Sequence, residues 1–111
     1  MVYQRGDIVV VPFPFAEGSK MKKRPALVIS NADVNKTGDY ILVQITSKEK
    51  ADDLSISIKS TDFIDTPLPL NSFVRCHKIF VLNHSTILYK VCRVKESFLK
   101  QLIKKINTLI E

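Results

Sequence analysis

The chain has no tryptophan, three glycines, two cysteines and two histidines in 111 residues. Each scarcity removes a class of function. Three widely spaced glycines, Gly6, Gly18 and Gly38, cannot build a phosphate-cradling loop. Cys76 and Cys92 form neither a disulfide framework nor a zinc-ligand spacing, and read as small core residues. His77 and His84 fall in different elements, no HExxH occurs, and the acidic residues are scattered through loops, so no metal site and no cofactor is expected. A serine-hydrolase nucleophile elbow is missing as well. The longest apolar runs, such as Ile8 to Pro14, fall far short of the roughly 20 residues of a membrane span. The N-terminus, with Asp7 interrupting it, lacks a signal-peptide layout, which makes the cytoplasm the expected location.

What the chain does have is positive charge: seventeen Lys and Arg against eleven Asp and Glu, a net +6. Such a surface favours polyanions through long-range attraction and counterion release. Four of those cations, Lys20, Lys22, Lys23 and Arg24, lie within five residues. Length and a 45% hydrophobic content are those of one globular domain, residues 1–111.

Strands are expected at Ile8–Val11, Pro25–Ser30, Tyr40–Thr46, Leu54–Ile58, Phe73–Leu82 and Thr86–Val94. Pro12 and Pro14 should end the first by Phe13, and Pro25 should open the second or lie on an edge. Ala16–Lys23 reads as a basic loop turning at Gly18, and Asn31–Asp39 as a polar loop. Phe98, Leu99, Leu102, Ile103, Ile106, Leu109 and Ile110 recur at helical spacing, with lysines between them. The expected fold is therefore mainly β: an SH3-like barrel of five to seven mostly antiparallel strands closed by a C-terminal α-helix.

The candidate chemistry lies at strand ends. Arg24 is fixed by Pro25 at the mouth of a strand, where a planar five-donor cation suits a phosphate. Thr46 and Ser47 end another strand, and Arg75 and His77 stand two apart in a third, hence on one face. Two guanidiniums, two hydroxyls and an imidazole suffice for metal-free phosphodiester cleavage in which the RNA 2′-hydroxyl is the nucleophile. Arginines would stabilise the pentacovalent state, hydroxyls would fix the attack geometry, and His77 is the better acid–base group. Each also has an ordinary structural use: turn hydroxyls at 46–47, a structural imidazole at 77, a pairing of Arg75 with Asp62 or Asp65, and a solvated tip at Lys22–Lys23.

Taken together, Arg5-Gly6-Asp7-Ile8-Val9, Lys23-Arg24-Pro25-Ala26-Leu27-Val28-Ile29-Ser30, Gln44-Ile45-Thr46-Ser47 and Ser72-Phe73-Val74-Arg75-Cys76-His77-Lys78-Ile79 resemble the PemK/MazF toxin family, in order and spacing over nearly the whole chain. The resemblance implies a sequence-specific, metal-independent endoribonuclease of a type II toxin–antitoxin pair, cleaving single-stranded RNA, often mRNA. The implied partners are a second copy in a homodimer and an antitoxin whose acidic disordered segment covers the basic groove. The family's motifs place catalytic roles on Arg24, Thr46, Arg75 and His77. Ser47, Lys22, Lys23 and Glu17 are candidate substrate contacts. His77 stands where an R-C-D segment carries its acid, Gly18-Ser19-Lys20-Met21 stands where many members carry Gly-x-Glu-Gln, and Phe80-Val81-Leu82 lacks a common threonine. Two rivals share the fold expectation: a gyrase-inhibiting toxin, disfavoured by the absence of tryptophan, and a catalytically silent nucleic-acid-binding module.

Overall fold

The computed structural model describes residues 2–14 and 21–111. Strands β1 (Asp7–Pro14), β2 (Met21–Val28), β3 (Asp39–Thr46), β4 (Ser55–Ile58), β5 (Ser72–Asn83) and β6 (Tyr89–Arg93) form one antiparallel sheet in the order β4-β5-β3-β2-β1-β6. A four-residue helix α1 (Ala32–Asn35) follows β2, and helix α2 (Glu96–Ile110) ends the chain. This is the mainly β architecture expected, with the helix where the spacing put it.

The central strands β1, β2 and β3 bury side chains on both faces, which is why they read as continuous apolar runs rather than clean alternations. On one face Ile8, Leu27, Val43, Ile45, Val74, Cys76 and Cys92 meet Phe98, Leu99, Leu102 and Ile106 of α2. On the other, Val9, Val11, Ala26, Val28, Tyr40 and Leu42 pack with Tyr3 and Ile87. That second face is closed by curling. Phe13 on β1 and Phe80 on β5 are three strand steps apart in the sheet, yet their rings meet edge-to-face at 5.5 Å. The result is an antiparallel half-barrel.

The prolines act differently from expectation. β1 runs on through Pro12 and Pro14, paired with Lys23 and Met21, and β2 begins at Met21 rather than Pro25 and ends at Val28 rather than Ser30. Both departures have one cause. β6 pairs with β1 only from Asp7 to Val10, and β3 with β2 only from Ala26 to Val28, so the far ends of β1 and β2 are edges. An edge tolerates a residue that cannot donate.

Three other elements also depart. The 31–39 loop holds α1, because Asn31 caps it by accepting from the backbone N–H groups of Asp33 and Val34. The last strand is shortened to Tyr89–Arg93, with a register shift that breaks the alternation expected there. Ile110, expected on the apolar stripe of α2, is 75% exposed, while its neighbour Leu109 still packs against the core.

Candidate active site

The pairing of β2 with β3 stops at Ala26–Gln44. Beyond it β2 stays with β1, while β3 stays with β5 through Ile45–Val74 and Thr46–Phe73. The sheet therefore splits, and Pro25, which has no N–H with which to extend the ladder, is the first β2 residue past the split. A cleft of about 300 Å³ opens there. One wall carries Val10, Lys23, Arg24 and Pro25, the other Ile45, Thr46, Ser47 and Ser72. Leu68–Leu70, from the long β4–β5 connection, and Val91 add apolar surface.

Arg24 is half-buried and Thr46 is buried. Continuing the Ala26–Gln44 register by one alternate step sets Arg24 opposite Thr46, on the same sheet face. Thr46 Oγ1 accepts the backbone N–H of Lys48 at 3.1 Å. With that acceptor position used, the hydroxyl proton is left to donate outward. Ser47 is exposed at the rim, as are Lys22 and Lys23, of which only Lys23 lines the cleft. Beside Arg24, Gln44 Oε1 is buried and accepts no hydrogen bond among the described residues. Glu17 lies outside the described residues.

Arg75 and His77 do not line this cleft. β3 Val43 faces Ile79 and Ile45 faces Val74, so residues 75–78 bulge out of the β3 ladder against one β3 residue. Arg75 pairs with Ser55 of β4 instead. Its partner is neither Asp62 nor Asp65: the guanidinium donates from Nη1 and Nη2 to the two carboxylate oxygens of Asp52, both at 2.9 Å, and from Nη1 to Ser55 Oγ at 2.8 Å. Asp62 instead accepts from the Lys59 N–H, and Asp65 from the Arg93 N–H. The Arg75 bond holds the Asp52 carboxyl well below its usual range and raises the guanidinium above its own. His77 is exposed. The two residues share a strand, as expected, but one is buried and the other is not.

Asp52, Ser55, Ser72 and Leu68–Leu70 were not singled out by the sequence. Asp52 and Arg75 are 23 residues apart, and a long-range pair leaves no local pattern. The one available signal was the turn at Asp52-Asp53, where Asp52 accepts the Leu54 N–H. Among the described residues no group of three His, Cys, Asp or Glu could hold a metal ion, and no helix is long and apolar enough to cross a membrane.

An antiparallel half-barrel with a C-terminal helix and a cleft where two strand pairs diverge is a MazF-type fold. Residues 4–110 match the family described as PemK-like, MazF-like toxin of type II toxin–antitoxin system, and the chain belongs to that family. Among solved structures it is similar to a MazE–MazF complex from Deinococcus radiodurans, with TM-score 0.78 and 22% identity over 99% of this chain and 96% of that one. An endoribonuclease in complex with its cognate antitoxin from a mycobacterial species gives TM-score 0.74 and 19% identity over 96% and 92%. Toxin MazF-mt6 of Mycobacterium tuberculosis gives 0.72 and 14% over 92% and 93%. At these identities the structural likeness is one of fold. No curated protein sequence matches the chain.

Proposed function

We propose that this toxin-family chain is an endoribonuclease that cleaves single-stranded RNA, including mRNA, without a metal ion. The observation that carries this reading is the split in the sheet, which delivers Arg24 from one strand pair and Thr46 and Ser47 from another to a single cleft edged by Lys23. The RNA 2′-oxygen attacks the adjacent phosphorus and the P–O5′ bond breaks, leaving a 2′,3′-cyclic phosphate and a 5′-hydroxyl. Arg24 stabilises the extra negative charge of the pentacovalent state, commonly the largest catalytic contribution. A guanidinium holds its proton, so Arg24 is a clamp and not a base. Thr46 and Ser47 donate hydrogen bonds to the non-bridging oxygens and hold the phosphate for in-line attack.

The proton lost by the 2′-hydroxyl needs an acceptor, and the leaving 5′-oxygen needs a donor. Of the two histidines, His84 lies at the far end of β5, in the turn after Asn83, whereas His77 is five residues from Ser72 of the cleft wall. The proposal gives the proton transfers to His77, reached by an RNA strand that leaves the cleft along the β3–β4 loop.

The test is incubation of a long mixed-sequence RNA with purified protein in EDTA, followed by mapping of the ends. Cleavage at a recurrent sequence with cyclic-phosphate and 5′-hydroxyl ends is expected. Binding without cleavage across varied RNAs would make the chain a silent binding module. Two partners complete the proposal: a second copy of the chain, tested by sedimentation at micromolar concentration, and an antitoxin whose acidic disordered segment displaces RNA from the basic groove. Its support is the net charge of +6 and the solved complexes of similar fold. The co-expressed product of a neighbouring gene should bind and relieve growth arrest.

A further inference from the structure

We propose that Asp52 is a positioning residue: its two-point bond to Arg75 fastens the 47–54 loop so that Ser47, Lys48 and Lys50 are set in advance against the RNA backbone leaving the cleft. The inference rests on the ribonuclease reading above and deepens it. It gives Arg75 the role of a post for the loop rather than that of a group acting on the reacting phosphate.

Arg75 is 7% exposed, and three of its five N–H donors are taken by Asp52 and Ser55. A guanidinium whose fork already holds a carboxylate, and which does not line the cleft, is not placed to hold a phosphate there. What it does hold is a loop. At one end Thr46 Oγ1, in the cleft wall, accepts the Lys48 N–H. At the other, Asp52 grips Arg75 and accepts the Leu54 N–H at 3.2 Å, and Leu54 O accepts the Cys76 N–H at 2.8 Å. Between these fastenings Ser47, Lys48, Glu49 and Lys50 are all exposed.

Asp53, next to the latch, has φ 59°, a left-handed conformation that a non-glycine residue adopts at a cost and keeps only where its surroundings hold it. The Asp52–Arg75 pair, with the Leu54–Cys76 bond beside it, supplies that hold. Two lysines on a loop ordered beforehand meet a phosphate backbone without the entropy of ordering the loop at that moment.

The experiment compares wild type, Asp52→Asn, Asp52→Glu, Arg75→Lys and the double variant Asp52→Asn/Arg75→Lys. Hydrogen exchange of residues 48–54 is measured first, then binding of a 2′-fluoro single-stranded RNA that has no nucleophile, then kcat and KM. The expected result is at least tenfold faster exchange confined to that loop in Asp52→Asn, about tenfold weaker binding, and a raised KM with kcat within about threefold. Arg75→Lys and the double variant should lose no more than Asp52→Asn, and Asp52→Glu should restore part of the binding.

Unchanged exchange in Asp52→Asn overturns the proposal, as does faster exchange with unchanged binding, or wild-type protein that binds no RNA. A hundredfold fall in kcat for Arg75→Lys, not shared by Asp52→Asn, also overturns it and returns Arg75 to the chemistry. If wild type binds the analogue but cleaves nothing, the ribonuclease reading fails, and exchange and binding still decide the role of Asp52.

Discussion

Ala26 and Gln44 are the last paired residues of β2 and β3 before the sheet divides. One alternate step further, Arg24 and Thr46 face each other with no ladder between them, and the cleft lies in that division. The backbone thereby presents a cation and a hydroxyl to the same space, although each stays paired on its outer side, Arg24 with Val11 and Thr46 with Phe73.

Arg24→Ala should lower kcat by about 100- to 1,000-fold, the range for removing a donor aimed at developing charge. Thr46→Val keeps the shape but removes both the hydroxyl donor and the acceptor for Lys48, and should cost at least tenfold. Thr46→Ser should retain most activity. Circular dichroism and thermal melting should show both Thr46 variants and Arg24→Ala folded, which separates chemistry from stability.

If His77 moves the protons, the pH–rate profile of the wild type should contain a bend that belongs to this side chain. His77→Gln should remove that bend. An unchanged profile would assign the proton to water instead.

Asp52 gives a pH dependence of stability whose sign follows from its lowered carboxyl. A carboxyl that titrates lower in the folded state stabilises the fold above its unfolded value of about 3.9 and loses that contribution as pH falls through the lowered value. The melting temperature of wild type should exceed that of Asp52→Asn at pH 7, and the gap should close as pH is taken below 4. Glu96, lowered by its hydrogen bonds from Arg5, should behave the same way in Glu96→Gln.

Gly6 has φ +98°, donates to Val28 O at 2.8 Å and accepts from the Val94 N–H at 3.0 Å. A Cβ there would meet Leu99 Cδ1 at 3.2 Å. Gly6→Ala should therefore destabilise the protein by about 1–2 kcal/mol, measured by urea unfolding, because a side chain is strained in that conformation and the helix contact is tight.

Burial pushes the Cys92 thiol up to about 11 and raises Cys76 as well. Neither should react with a thiol reagent in the native protein at pH 8, and both should react in guanidinium.

Several features were legible in the chain without a structure. Ile56 and Ile58 alternate with Ser55 and Ser57, and β4 stands there with its isoleucines toward the core. Leu99, Leu102 and Ile106 repeat at helical spacing, and α2 buries them. Side-chain periodicity is a property of a single element, so it survives in the sequence. Thr46 and Ser47 were likewise visible as polar groups at a strand end, whereas Arg24, expected at the mouth of a strand, stands inside β2 opposite Val11. The course of β1 through two prolines was not visible, because a proline in a strand is read as a stop unless the strand is known to lack a neighbour on that side.

What the sequence alone determined is the set of amphipathic elements, their order, and the basic surface with its candidate arginines and strand-end hydroxyls. These follow from local propensity, periodicity and summed charge. The tertiary structure alone decided where the ladder between β2 and β3 would end, and that Arg75 would turn to Asp52 rather than to the cleft. Both depend on pairings between residues many positions apart, settled by how the sheet curls and where a bulge releases residues 75–78, and no neighbouring residue records such choices.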